Sequence, residues 1–141
     1  MIDNKVIVLG SFGFISNNLK KIFLKKKISS SFISSKQIDL TKKNSYKNLS
    51  KRINKGSIVI FISAKAPVKN LDMLLYNLKI LDNVSKAIEN KNIKQLIYIS
   101  SDAVYSDSLK KINESHHREP DNLHGMMHVI RENCLKNLFS K

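Results

Sequence analysis

Three groups of residues in this 141-residue chain have types and spacings that suit chemistry. Directly after an apolar run at residues 5–9 (KVIVL) stands Gly10-Ser11-Phe12-Gly13-Phe14-Ile15-Ser16. In that position a first glycine permits a tight turn. A second lets the backbone approach a pyrophosphate at the N-terminus of the helix that follows. The third glycine of such loops is here Ser16, small enough for fairly close helix–strand packing. The alternative is a plain strand-to-helix turn whose glycines serve geometry alone. The second group is His124 and His128, an i,i+4 pair on one helical face. Imidazoles transfer protons near neutral pH, and the same spacing occurs in metal sites. His116 and His117 could add a ligand, but Gly125 and Met126 stand where a zinc-protease helix carries its Glu, and no metal is expected. The third group is Phe32-Ile33-Ser34-Ser35-Lys36. An NAD site usually places a carboxylate at the end of this second strand, on the ribose 2′-hydroxyl. Hydroxyls followed by Lys36 suit a 2′-phosphate instead, which favours NADP over NAD. The alternative is a solvated lysine in a lysine-rich chain.

The elements that must carry these groups are legible in the hydropathy pattern. Residues 5–9, 57–62 (SIVIFI) and 95–99 (QLIYI) are continuous apolar, β-branched runs, as in strands buried on both faces of a parallel sheet. A weaker strand is expected at 31–34 and a short one at 37–38. Helical periodicity covers residues 17–27, 71–90 and 122–139, with Leu19, Ile22 and Phe23 on the first and Met126, Met127, Ile130 and Leu135 on the last. The middle helix aligns Leu74, Leu78, Leu81, Val84, Ala87 and Ile88. Strands alternating with helices predict an α/β fold with a doubly wound parallel sheet, Rossmann-like, in order 3-2-1-4-5. Residues 110–120 are polar and read as a loop.

Composition sets the outer limits. At 42% hydrophobic and 26% charged the chain is that of an ordinary globular domain, and its length suits one domain. No apolar run approaches the roughly 20 residues of a membrane span. The first twenty residues show no secretory signal, and the single cysteine excludes an internal disulfide framework, so a cytoplasmic protein is expected. Cys134 has no base beside it and is expected to be a small buried residue. The net charge of +14 comes from 25 basic residues of which only Arg52, Arg118 and Arg131 are Arg. Nucleic-acid readers favour Arg interleaved with aromatics, and here lysines are spread along the chain, so no specific nucleic-acid partner is expected.

Residues 10–16 followed by Leu19 resemble the GxxGFIGxxL opening of the extended short-chain dehydrogenase/reductase family, the nucleotide-sugar epimerases, dehydratases and reductases. Further features fall in the family's order. Asp39-Leu40 is similar to its acidic–aliphatic pair after the third strand, whose carboxylate faces the adenine. Residues 62–66 (ISAKA) are similar to the small-residue segment that lines the cofactor, and Asn77 and Asn83 to its asparagine-bearing helix. Residues 98–105 (YISSDAVY) resemble the fifth-strand signature. The resemblance implies a dinucleotide cofactor, NAD or NADP, held by Gly10, Ser11, Phe12, Gly13, Phe14, Ile15, Lys36, Asp39, Leu40, Ser63, Ala64, Lys65 and Asn77, and a nucleotide sugar as the other ligand.

It also implies a catalytic set, and there the sequence departs from the family. Ser101 matches the serine that orients the substrate hydroxyl. The family's acid/base Tyr and, four residues on, its Lys lie in the pattern P-x-x-x-Y-G-x-x-K. Here Pro120 and Gly125 match, while His124 and His128 replace the Tyr and the Lys. Imidazole is shorter than phenol, and a permanent cation is missing beside it, so impaired proton transfer is expected. Asp102 stands at an acid position of the dehydratase branch, but Ala103 replaces its Glu, which disfavours dehydration. Family members run about twice this length. The chain is therefore expected to be the NAD(P)-binding domain alone, residues 1–141, with the substrate-binding half absent. Three readings stay open: a weakened enzyme, a truncated gene product, or a non-catalytic interaction or regulatory domain. An uncovered fifth strand would favour a homodimer or a partner chain that completes the sheet.

Overall fold

The computed structural model describes residues 5–139. Within them four parallel strands, β1 (Val6–Leu9), β2 (Ser30–Ile33), β3 (Ile58–Phe61) and β4 (Gln95–Tyr98), form one sheet in the order β2-β1-β3-β4. Ile7 sits beside Ser31 on one side and Val59 on the other, and Ile60 beside Ile97. Four helices connect and cover them: α1 (Phe14–Lys25), α2 (Tyr46–Ser50), α3 (Leu71–Ile88) and α4 (Leu123–Phe139). This is the Rossmann-like, doubly wound architecture that the alternating pattern predicts.

The continuous apolar runs are explained by the two covered faces. Alternate residues Val6, Val8 and Ile60 meet Leu19 and Phe23 of α1. Ile7, Leu9, Val59 and Phe61 point the other way, onto Leu81, Val84 and Ile88 of α3, Leu49 of α2 and Leu135 of α4. Each such side chain contributes roughly 1.5–3 kcal/mol on burial. The α1 helix ends at Lys25 and is followed by Lys26 and Lys27, where cations suit the helix dipole. Among the described residues no helix is long and apolar enough to cross a membrane.

Three expectations are corrected and one element is added. Residues 37–38 form no strand, so the sheet has four strands rather than five. There the amide and hydroxyl of Ser34 both donate to Gln37 Oε1, and the amides of Gln37 and Ile38 return to the Ser34 carbonyl. That local turn satisfies the groups a strand would have needed. Helix α2 was not anticipated; it follows an apolar spacing (Tyr46, Leu49, Ile53) that packs against α3. Ile22 is largely exposed, because α1 crosses the sheet on Leu19 and Phe23. Cys134 is exposed rather than buried, since α4 turns Met127, His128, Arg131 and Leu135 inward. Among the described residues strand β4 pairs only with β3, which leaves its other edge unpaired there.

Candidate functional site

The C-terminal ends of β1, β2 and β3 open into a cleft of about 450 Å³, lined by Gly10, Ser11 and Phe12 on one side and Ser63, Ala64 and Lys65 on another. Ser35, Ile62, Tyr76 and Ile80 complete it. Six residues read from the sequence as cofactor ligands are thus brought together.

The loop after β1 is held by its own residues. Gly10 has φ 104° and Gly13 φ 113°, a region that side chains rarely adopt. A Cβ on Gly10 would lie 3.2 Å from both the amide N and the Oγ of Ser63, narrowing the cleft. The buried Ser16 hydroxyl donates to the Gly10 carbonyl at 2.7 Å, so the residue replacing the third glycine ties the loop to α1. Lys20 Nζ donates to the Ser11 carbonyl and lies over the rings of Phe12 and Phe32, at 5.5 and 5.3 Å. Gly13 caps α1 with no side-chain bond to the helix, which leaves first-turn N–H groups open to an anion. Phe14 and Ile15 are exposed outside the cleft lining.

The remaining predicted ligands are distributed around this cleft. Ser35 lines it, and Lys36 beside it is exposed. Asp39 lies outside the lining, its Oδ1 accepting from the Thr41 hydroxyl at 2.7 Å and amide at 3.0 Å. Those two bonds hold its carboxyl below the ordinary range. Leu40 is buried in the core, with its carbonyl accepting from Asn83. Asn77 is fully buried behind the cleft, where its Oδ1 accepts from the Lys65 amide and its Nδ2 donates to the Lys65 carbonyl.

One residue that sequence reasoning missed closes this arrangement. Arg131 of α4 is fully buried and stacks on Phe61 at 4.9 Å. Its guanidinium donates to the carbonyls of Ser63 and Asn77, each at 2.9 Å, and to Asn77 Oδ1 at 3.0 Å. It therefore anchors from behind the loop that lines the cleft. No sequence signal marks it, because an Arg is ordinarily a surface residue.

The expected catalytic residues lie on the 3-10 turn Asp102–Val104 and the first turns of α4. Ser101 Oγ accepts from the Ala103 amide and donates to Asp102 Oδ1, capping that turn. Gly125 brings the two segments together: a Cβ there would stand 1.9 Å from the Ala103 carbonyl oxygen. His124 and His128 meet edge to face at 4.7 Å, and His124 Nδ1 is buried with no hydrogen-bond partner among the described residues. His128 is only 5% exposed and turns inward, its Nδ1 2.6 Å from Tyr98 Oη. Burial, then the neighbouring His124 and Arg131, push its pKa down to about 4. Position 128 thus carries no cation at neutral pH. Burial pushes the Tyr98 phenol up to about 12, against the pull of Arg131. Farther along α4, Glu132 accepts from Ser100 and from Arg118, which outweigh its burial and hold its carboxyl below the ordinary range. Among the described residues no group of His, Cys, Asp and Glu is placed to hold a metal ion.

Comparison with known proteins places this geometry. The profile of the NAD dependent epimerase/dehydratase family matches residues 6–138. The chain belongs to that family. Solved structures share the fold of this epimerase/dehydratase domain at low identity. A GDP-L-fucose synthetase from Naegleria fowleri superposes with TM-score 0.83 at 18% identity, over 98% of this chain and 45% of that one. A dTDP-4-dehydrorhamnose reductase from Clostridium acetobutylicum gives 0.80 at 20%, over 97% and 50%. UDP-glucuronic acid 4-epimerase from Bacillus cereus, solved with NAD, gives 0.79 at 17%, over 97% and 53%. The epimerase/dehydratase domain described here spans about half the length of these structures. No curated protein matches the sequence.

Proposed function

We propose that residues 1–141 form a nicotinamide-dinucleotide-binding domain of the nucleotide-sugar epimerase, dehydratase and reductase type, with weakened proton transfer, working in the cytoplasm. The observation that carries this reading is the cleft itself. It gathers the Gly10–Phe12 backbone and the Ser63–Lys65 loop at one sheet edge, with α1 starting directly after that glycine loop. Its volume suits a ligand site, and Gly10 keeps clear a space that a Cβ would narrow. The α1 N–H groups would take the pyrophosphate, and Ser63, Ala64 and Lys65 would line the cofactor, with Asn77 fixing them. A bound dinucleotide would supply hydride chemistry at a sugar carbon. Ser101 would orient the substrate hydroxyl and His124 would hold or release its proton. His128 supplies no positive charge to assist, which is the basis for the weakening.

NADP is the favoured form. The end of β2 offers Ser34, Ser35 and Lys36 and no carboxylate, and Asp39 is engaged by Thr41. Titrating NADPH and NADH, followed by fluorescence or thermal shift, tests both points. NADPH should bind more tightly, and Lys36→Glu should reverse the order. No response to either at millimolar concentration overturns cofactor binding, and Gly13→Val should abolish any response seen. A second reading, a non-catalytic regulatory domain, is favoured by the inward turn of His128. Turnover of nucleotide sugars by the unmodified chain would eliminate it. His124→Tyr with His128→Lys should raise turnover if the scaffold retains catalytic geometry.

A further inference from the structure

The side chain at position 128 poses a chemical problem that the fold answers. An imidazole buried to 5% exposure has two nitrogens, and the identity of the protonated one decides what it can offer a ligand. Nδ1 is 2.6 Å from Tyr98 Oη, so one of the two atoms donates to the other. Tyr98 stands on β4, thirty residues earlier, packed on Phe61 at 5.3 Å between ring centroids. The groups that act on this pair are the guanidinium of Arg131, which pulls on the phenol, and His124, Arg131 and Glu132 of α4, which act on His128. A phenol O–H is a stronger acid than a neutral imidazole N–H, and a bare imidazole nitrogen is the stronger acceptor, so in this neutral pair the phenol is the donor. His128 Nδ1 is the acceptor within reach.

We infer that Tyr98 is a positioning residue, its O–H donating to His128 Nδ1 and so fixing His128 as the neutral tautomer with its proton on Nε2. Nδ1 is thereby occupied, and Nε2–H is the group His128 has left for a ligand. On the proposed function, a reading this inference rests on for its ligand, the N–H would donate to a hydroxyl of the bound dinucleotide. Position 128 would then offer the dinucleotide a hydrogen-bond donor without the charge of the lysine in the family's pattern. Arg131 supports the second feature, neutrality, because its charge opposes protonation of the imidazole.

The test reads the tautomer directly, without any assay of activity. Imidazole nitrogen and carbon shifts are recorded by NMR on the full chain, with His128 assigned by the signals missing from His128→Asn. Neutral Nε2–H at pH 7, persisting well below the pH at which an ordinary histidine charges, is the expected result. An Nδ1–H tautomer or an imidazolium at pH 7 overturns the inference. Tyr98→Phe keeps the ring against Phe61 and should convert His128 to a mixed tautomer population, an effect that mere loss of packing would not produce. If that variant does not fold, the native spectra decide alone. Adding NADPH separates the two readings. Binding that shifts the Nε2 signal supports the ligand contact, and binding that leaves it unmoved removes that contact. Absence of any binding removes the functional reading and leaves the tautomer to be judged on the free protein.

Discussion

Arg131 Nη2 donates to Asn77 twice, to its carbonyl at 2.9 Å and its Oδ1 at 3.0 Å, while the Lys65 amide donates to the same Oδ1. Among the described residues no carboxylate pairs with this guanidinium. A buried cation with only neutral acceptors is costly, and what it holds is the loop that lines the cleft. Replacing it by Met keeps much of the stem packing, takes the Arg131 donor from the Ser63 carbonyl and leaves Asn77 Oδ1 with the Lys65 amide alone. Arg131→Met should therefore destabilise the domain by roughly 1–3 kcal/mol and weaken NADPH binding. Arg131→Lys should recover only part, because one ammonium cannot match a planar fork. Urea unfolding and cofactor titration read both effects. An unchanged unfolding midpoint for Arg131→Met would show that the network adds nothing.

Two glycines should fail in different ways when replaced by Ala. A Cβ on Gly125 meets the Ala103 carbonyl oxygen at 1.9 Å and Pro120 Cβ at 2.6 Å, so α4 must move away from the turn that carries Ser101. Gly125→Ala should cost roughly 1–3 kcal/mol and shift the His124 signals by NMR. A Cβ on Gly13 meets nothing within 4 Å, but φ is 113° there. Gly13→Ala should cost roughly 1–3 kcal/mol through backbone strain and leave His124 unmoved. Movement of His124 by both, or by neither, would contradict this division.

Much of the fold was legible because the strands are buried on both faces. That environment writes unbroken apolar runs at β1, β3 and β4, and the glycine loop then locates the cleft. The turn at 34–38 was not legible, because Ser34 and Gln37 satisfy each other through side-chain bonds that periodicity does not register. The site was legible only where its residues are neighbours in sequence. Residues 10–12 and 63–65 line one cleft, but the Tyr98–His128 bond spans thirty residues and Arg131 reaches Ser63 across sixty-eight. Such pairs are set by how α4 lies on the sheet, which depends on Gly125 meeting Ala103.

Stability should fall on acidification earlier than carboxylates alone would dictate. In the native state the His128 ring stays neutral down to about pH 4, whereas an unfolded histidine takes up a proton near 6.5. Between those values the unfolded chain binds more protons, so stability is full above the upper value and is lost as the pH drops toward the lower. The contribution lost by about pH 5 is roughly 1–2 kcal/mol, less than the whole gap implies because that pH lies only partway between the two values. Urea unfolding at about pH 7.5 and about pH 5 should show the loss, and His128→Gln should remove most of it. Equal pH dependence in both proteins would place the titration elsewhere.

The open edge of β4 predicts self-association that grows with salt. Among the described residues its backbone pairs only with β3, and Leu96, Ile97 and Tyr98 are half-buried there. Beside it runs a groove of about 570 Å³ between β4 and α4, lined by Leu96, Tyr98, Leu135 and Phe139. An unpaired apolar strand accepts another strand, and two copies meeting about a two-fold axis would pair their β4 edges and cover both grooves. The +14 charge opposes this at low ionic strength, but its reach falls to about 8–10 Å at physiological salt. Light scattering should therefore report a rising mass between about 0.05 and about 0.5 M salt. Ile97→Lys puts a charge on the edge strand itself and should hold the chain monomeric across that range. A native chain that stays a monodisperse monomer at the higher salt would mean that the β4 edge does not recruit a second copy.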